Sequence, residues 1–291
     1  MKRKIWFICN WDEIYDPNVS LRTIRNWPIS DKFELSETEY EFLIVLGGIR
    51  PQDMKYYRNP MKTIGFLLEP NWSTNWQRDL DRYCRYVVAQ ESSMFSGQNI
   101  IEHPLFMMTQ STDHHKFYLE ESHPKNRRMS IVITNTGPKP LYNERIGLFR
   151  ALLDTDLDID FYGRMWNLSD PRYKGAPYNK SDALLNYEYS IGIENCRQKN
   201  YLTEKFFDLI ACDTVPIYYG APNVKDIYPE ESFIEMDFSG PIEKTVEQIK
   251  HVYHNDDYSA RLAHVKRAKD LYYTKYNIFN FLESMIDKGM I

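Results

Sequence analysis

The sequence predicts an α/β protein built as two domains, and three observations carry that prediction. The chain has 291 residues, 43% of them hydrophobic and 26% charged, enough for two domains of ordinary size with a core each. Short apolar runs of strand length alternate with longer polar stretches compatible with helices. A polar segment, TQSTDHHKFYLEESHPKNRR over 109–128, interrupts the alternation and carries Pro124, which places the domain connection there. The expected layout is a first domain over 1–115, a linker over 116–129 and a second domain over 130–291.

In the first domain the strand candidates are Ile5–Cys9, Phe42–Leu46, Ile64–Leu68 and Tyr86–Ala89. The second opens with the run Ile131–Thr134, a loop holding Gly137, Pro138 and Pro140, a helix from about Asn143 to Leu153 and a strand at Ile159–Tyr162. Tyr189–Ile193 and Val215–Tyr219 then bracket a helix whose Phe206, Leu209 and Ile210 fall at the i, i+3, i+4 spacing of one buried face. Thr203 is the expected N-cap, and Asp213 and Pro216 end that helix. Strand, helix, strand in so short a span implies parallel strands joined by a right-handed crossover. Leu262, Val265 and Ala268 predict an amphipathic terminal helix over Tyr258–Tyr273.

Composition excludes some functions. A formal charge of −5 and a pI near 5.9 argue against a nucleic-acid partner, which needs a basic surface. The 22 Tyr and 6 Trp suit large core residues or stacking platforms for sugars and bases. Cys9, Cys84, Cys196 and Cys212 have no CxxC spacing, so a reducing compartment is the simplest inference. The amino-terminal MKRKIWFICNWDEIY has an apolar run too short for a signal-peptide core or a membrane anchor, so a cytoplasmic protein with no membrane span is expected.

The segment from Glu194 to Lys205 follows a strand and opens a helix, the edge at which open α/β sheets bind ligands. Helix amino ends favour phosphate through free amides and a partial positive charge. Lys205 there opposes the helix dipole, a conflict that an anionic ligand would remove.

The segment IENCRQKNYLTEK resembles the signature of the α-1,3/1,4-fucosyltransferases, glycosyltransferase family 10. In that family an Asn precedes a Tyr-x-Thr-Glu-Lys block by six residues, here Asn195, Tyr201, Thr203, Glu204 and Lys205. The stretch DTVPIYYGAPNVKDIYPEESFIEMDF, Asp213–Phe238, resembles the family's next block. The resemblance is specific over Ser130–Phe238. It implies a GT-B-like fold, two Rossmann-like domains facing across a cleft, with the first domain binding the acceptor and the second the nucleotide sugar. Of the family's branches the chain looks most like the soluble bacterial or viral members, since animal members are anchored in the Golgi by an amino-terminal membrane segment.

The activity so implied is inverting transfer of fucose from GDP-fucose to a glycan hydroxyl, with no cofactor or metal required. Arg145 and Lys205 are the cations expected on the diphosphate, Arg145 because it matches the family's phosphate-binding Arg and can grip two oxygens at once. Glu204 would accept hydrogen bonds from the ribose diol. Tyr201 would line the nucleotide pocket, and Asn195 would reach the diphosphate or the donor sugar. Glu194 stands equally as a turn acceptor or a site carboxylate.

The acceptor's proton needs a base on the face opposite the leaving group. Glu69, ending the run Ile64–Leu68 and followed by Pro70, Asn71 and Trp72, is the candidate, and the family has a proposed catalytic Glu in a comparable segment. Asp12 or Glu13 is the fallback. Asp154, Asp156, Asp158 and Asp160 spell Asp-x-Asp pairs, but they precede the strand Ile159–Tyr162 instead of following one and read as a solvated lead-in with Asp160 on the strand's alternate face. His114 with His115, and His251 with His254, lack a third ligand at metal spacing, so no metal site is expected. Two alternatives stay open: the same fold using a UDP-sugar such as UDP-xylose, and a non-catalytic glycan or nucleotide-sugar binding protein.

Overall fold

The computed structural model describes residues 2–10, 31–70, 80–95, 99–104, 123–137 and 139–291. Asp12, Glu13, His114, His115 and residues 116–122 of the expected linker lie outside the described residues. The chain divides into two compact units: Met1–His115 with Gln198–Tyr201 and Thr274–Ile291, and Lys116–Arg197 with Leu202–Tyr273.

Among the described residues the first unit has a six-stranded parallel sheet of β1 (Arg3–Cys9), β2 (Phe33–Leu35), β3 (Phe42–Leu46), β4 (Thr63–Phe66), β5 (Tyr86–Ala89) and β6 (Ile100–Glu102). Their spatial order is β2-β1-β3-β4-β5-β6. All five residues of β3 are buried, as a strand covered on both faces requires. On one face Ile8, Leu43, Val45, Leu67 and Val87 pack with Leu80 of the single-turn helix α1 (Leu80–Tyr83). Gly65 is small because a Cβ there would lie 2.8 Å from the Cys84 sulfur. Phe7 and Phe66 meet Phe279 and Phe281 edge to face, each with ring centroids 5.8 Å apart.

The second unit has a six-stranded parallel sheet of β7 (Arg127–Val132), β8 (Ile159–Tyr162), β9 (Tyr173–Gly175), β10 (Tyr187–Ile193), β11 (Val215–Tyr219) and β12 (Ile234–Glu235). Its helices are α2 (Tyr142–Leu153), α3 (Glu204–Ala211), α4 (Ile242–Asn255) and α5 (Tyr258–Thr274). A last helix, α6 (Ile278–Asp287), follows in the first unit.

Strand order in the second sheet is β9-β8-β7-β10-β11-β12. The chain builds outward from β7 through β8 and β9, then returns to β7's other side and builds outward again from β10. This is the 3-2-1-4-5-6 order of doubly wound dinucleotide folds, and β7 and β10 flank its switch point. Register is parallel throughout, with Tyr189 of β10 opposite Met129 of β7 on one side and Val215 of β11 on the other.

The sequence assigned all of 130–291 to the second domain, but Gln198–Tyr201 and Thr274–Ile291 pack in the first unit. The reason is the apolar face of α6: Ile278, Phe279, Phe281, Leu282 and Met285 are buried, and two of them stack on β1 and β4. Asn277 caps the helix, its side-chain oxygen accepting from the amides of Phe279 at 2.9 Å and Asn280 at 3.0 Å. Among the described residues no helix is long and apolar enough to cross a membrane.

Candidate nucleotide-sugar site

The carboxyl ends of β7 and β10 feed the two segments that matter most. β7 runs into a loop that ends at α2, and β10 runs into Glu194, Asn195 and onward to α3. Their backbones are tied at the crevice, where the Leu141 amide donates to the Asn195 carbonyl at 3.1 Å. Arg145 lies in the first turns of α2 and is buried. Its guanidinium donates to Asn195 Oδ1 at 2.7 Å, and the Lys139 ammonium approaches the same oxygen at 3.4 Å. Arg145 and Asn195, singled out separately in the sequence, are therefore direct partners.

At the amino end of α3, Thr203 caps the helix, its hydroxyl oxygen accepting from the Lys205 amide at 3.3 Å. The same oxygen accepts from Lys205 Nζ at 3.1 Å and donates its proton to Glu194 Oε2 at 2.7 Å. The Thr203 amide donates to Glu194 Oε1 at 2.8 Å, and the Tyr218 hydroxyl reaches that oxygen at 3.3 Å. Glu194 is thus a fully buried acceptor that fixes the cap.

The Lys205 ammonium sits 2.9 Å from Glu204 Oε1 and 3.5 Å from Glu194 Oε2. The expected clash between Lys205 and the α3 dipole is therefore already relieved within the protein, by two carboxylates. Lys180, which the sequence did not single out, donates to the Glu204 carbonyl at 3.0 Å and pairs with Asp208 at 2.8 Å.

Electrostatics follow this packing. Burial pushes the Glu194 carboxyl above the usual carboxylate range, against the pull of Lys205 and the Thr203 hydrogen bonds. Burial acts on Glu204 in the same direction, but Lys205 and Lys180 outweigh it and bring the group down to about 2. Burial disfavours the Lys205 charge, yet Glu204 and Glu194 raise its pKa above the ordinary lysine value even though Arg145 opposes them. The result is a cationic pair, Arg145 and Lys205, held charged beside a helix amino end in a water-poor crevice. Such a pair can stabilise developing negative charge on a phosphate without rearranging.

Close approach is allowed by glycines. A Cβ on Gly192 of β10 would lie 2.3 Å from the Lys205 carbonyl oxygen, so α3 can begin against the strand only because this residue is glycine. A Cβ on Gly220 would lie 2.4 Å from Cγ of Glu194. A glycine late in a strand that precedes a helix was the available sequence signal for this packing. Tyr218 gave none, because its partner Glu194 lies 24 residues earlier.

Tyr201 and Glu69 lie in the first unit. Tyr201 is 2% exposed and lies in Gln198–Tyr201, within that unit. Glu69 is half-buried in the bend after β4, its carbonyl accepting from Gln90 Nε2 at 3.2 Å. The acidic run is dispersed: Asp154 ends α2, while Asp160 is buried in β8 and accepts from Arg127 at 2.6 Å and the Tyr187 hydroxyl at 2.7 Å. Asp160, on the strand's alternate face, is thus a buried hydrogen-bond partner. Among the described residues no group of three or more His, Cys, Asp or Glu is gathered as a metal site.

A doubly wound unit with paired cations and a capped helix at its switch point has the layout in which open α/β folds can receive an anionic ligand. The family model for glycosyltransferase family 10 (fucosyltransferase), C-terminal part, matches residues 122–276, more than half of the chain. The chain belongs to that family. The α-(1,3)-fucosyltransferase FucT of Helicobacter pylori is 30% identical over 134 residues, which cover 46% of this chain and 26% of that protein.

The chain therefore spans only about a quarter of that relative's length. An α1,3-fucosyltransferase solved with GDP-fucose superposes with a TM-score of 0.54 at 18% identity, covering 91% of this chain and 81% of that one. An α-glucosyltransferase solved with UDP and a 13-mer DNA containing a central A:G mismatch gives 0.60 at 14% identity, covering 99% and 100%. These likenesses show the fold, which is GT-B-like with two parallel α/β units.

Proposed function

We propose that the protein is an inverting glycosyltransferase that moves fucose from GDP-fucose to a hydroxyl of a glycan. The observation that carries the reading is the Arg145–Asn195 and Lys205–Glu204–Glu194 constellation at the switch point of a family 10 domain. In this reading Arg145 and Lys205 take the diphosphate, neutralising the departing GDP with no metal ion and no other cofactor. Glu204 accepts from the ribose diol, Asn195 orients the diphosphate or fucose, Tyr201 closes the nucleotide pocket and Thr203 with Glu194 holds the frame rigid. Glu69 removes the proton from the attacking hydroxyl, and inversion follows because the base works on the face opposite the leaving group.

GDP as the bound nucleotide is supported by the solved relative that carries GDP-fucose. The UDP-bound neighbour of the same fold supports a second reading, in which the donor is a UDP-sugar. A net charge of −5 supports a glycan acceptor over a nucleic acid. Four buried cysteines without CxxC spacing support a reducing compartment such as the cytoplasm.

The test is a thermal-shift panel of GDP, UDP, GDP-fucose and UDP-xylose, followed by turnover with the stabilising donor and a glycan array in the presence of EDTA. Stabilisation by GDP and GDP-fucose, with product of inverted anomeric configuration formed in EDTA, is expected. Stabilisation by UDP alone would establish the second reading. Donor binding without turnover on any glycan would make this a nucleotide-sugar binding protein.

A further inference from the structure

Gln90 directly follows β5 and has no exposed surface. The β4–β5 ladder ends beside it, with the Leu67 amide donating to the Val88 carbonyl at 2.8 Å. Two residues further on the strands have parted, and the Gln90 side chain takes over where a backbone amide would have been, Nε2 donating to the Glu69 carbonyl at 3.2 Å. The Gln90 backbone carbonyl accepts in turn from Asn200 Nδ2 at 2.8 Å.

Asn200 has φ +61°, a left-handed conformation that Asn tolerates better than other side-chain-bearing residues. Next to it, Lys199 pairs with Glu102 at 3.3 Å. Glu102 is fixed by the amide and hydroxyl of Ser92 at 2.8 and 2.7 Å. The segment Gln198–Tyr201, part of the family motif, is therefore anchored on the ends of β5 and β6.

Gln90 is a poor choice on stability grounds. Its Oε1 is buried with no hydrogen-bond partner, a state that costs free energy and that an apolar residue of the same size would avoid. Such a residue is expected where function, not folding, requires the amide.

We propose that Gln90 is a positioning residue for Glu69, its side-chain amide holding the Glu69 backbone and its carbonyl receiving Asn200 of the donor motif. Glu69 stands in a bend beyond the end of β4, outside the sheet ladder. Fixing its carbonyl fixes the direction in which Cα–Cβ leaves the chain, and a base displaced by about 1 Å loses up to about a hundredfold in rate. The inference rests on Glu69 being the base.

The test compares Q90M, E69Q and the double variant in GDP release from GDP-fucose, with water or a glycan found active on the array as acceptor. Q90M should lower kcat about ten- to a hundredfold while KM for GDP-fucose stays within about twofold and the thermal midpoint is unchanged or raised. In the E69Q background the same substitution should cost nothing more, because residues acting through one another are not additive. N200G, which keeps the backbone conformation and removes the amide, should lower kcat in the same direction by less.

If E69Q retains full turnover, the base assignment fails and the positioning role falls with it. If E69Q is inactive but Q90M turns over normally, the base stands and the positioning role is refuted. An equal loss from Q90M in both backgrounds also refutes it. If Q90M does not fold, N200G decides: wild-type kcat overturns the proposal, and a fall absent from the E69Q background upholds it.

Discussion

Thr203→Val removes one hydroxyl and almost no volume, and the structure says what that hydroxyl holds. It caps α3 through the Lys205 amide, accepts from the Lys205 ammonium and donates to Glu194 Oε2 at 2.7 Å. Loss of a threonine cap costs about 1 kcal/mol. Loss of a hydrogen bond to a buried charged group costs about 1.5–3 kcal/mol more, because Glu194 has no water to turn to. The sum is about 2.5–4 kcal/mol, and at about 2–4 °C per kcal/mol for a unit of this size the midpoint should fall by roughly 5–16 °C.

Differential scanning calorimetry on the wild type, Thr203→Val and Thr203→Ser measures it, with Ser expected close to wild type because it keeps the hydroxyl. The pH dependence is a further check. Glu194's carboxyl is raised by burial and pulled back by its Thr203 donors, so removing the hydroxyl raises it further. The Val deficit should be largest well above Glu194's pKa and shrink as acid protonates the group. A deficit under about 0.5 kcal/mol, or one that does not depend on pH, would show that the hydroxyl does not support Glu194.

Three further outcomes follow from the same region. Gly192→Ala places a methyl 2.3 Å from the Lys205 carbonyl oxygen, so it should destabilise by about 1–3 kcal/mol and weaken GDP binding measured by calorimetry. Arg145→Ala and Lys205→Ala should each weaken GDP binding by about 1.5–3 kcal/mol with retained circular dichroism; unchanged affinity in both would place the diphosphate elsewhere. Glu204 has a folded pKa near 2, below its unfolded value of about 4.5, so its contribution is present above pH 4.5 and lost as pH falls toward 2. Acid titration of Glu204→Gln should accordingly show a shallower loss of stability across that window than the wild type.

The sequence was most legible where structure is local. Phe42–Leu46, Tyr86–Ala89, Ile159–Tyr162 and Val215–Tyr219 are strands residue for residue, because four or five apolar residues between turn signals leave little choice. β7 starts earlier than the expected Ile131, at Arg127, because its arginines are matched by distant groups: Arg127 by Asp160 at 2.6 Å, Arg128 by the Tyr253 carbonyl at 2.9 Å.

The Thr203 cap was visible for the same local reason, while the neutralisation of Lys205 by Glu194 depends on burial and was not. Arg145 and Asn195 were each singled out, but their contact spans 50 residues and needs the β7–β10 neighbourhood to exist. The membership of α6 in the first unit was not legible, since an amphipathic face does not state which core it will cover.

That last helix has a consequence for how the chain is made. The first unit draws on Met1–His115 and, much later in the chain, on Thr274–Ile291, whereas the second lies almost wholly between them. Synthesis at about 5–20 residues per second puts roughly 8–30 s between His115 and Thr274. Through that interval Phe7 and Phe66 lack the rings of Phe279 and Phe281. The second sheet can assemble on the ribosome while the first waits with an apolar face uncovered. The nascent chain should thus be a chaperone client because of its topology, and a stop codon shortly before α6 should leave a folded second unit joined to an aggregation-prone first.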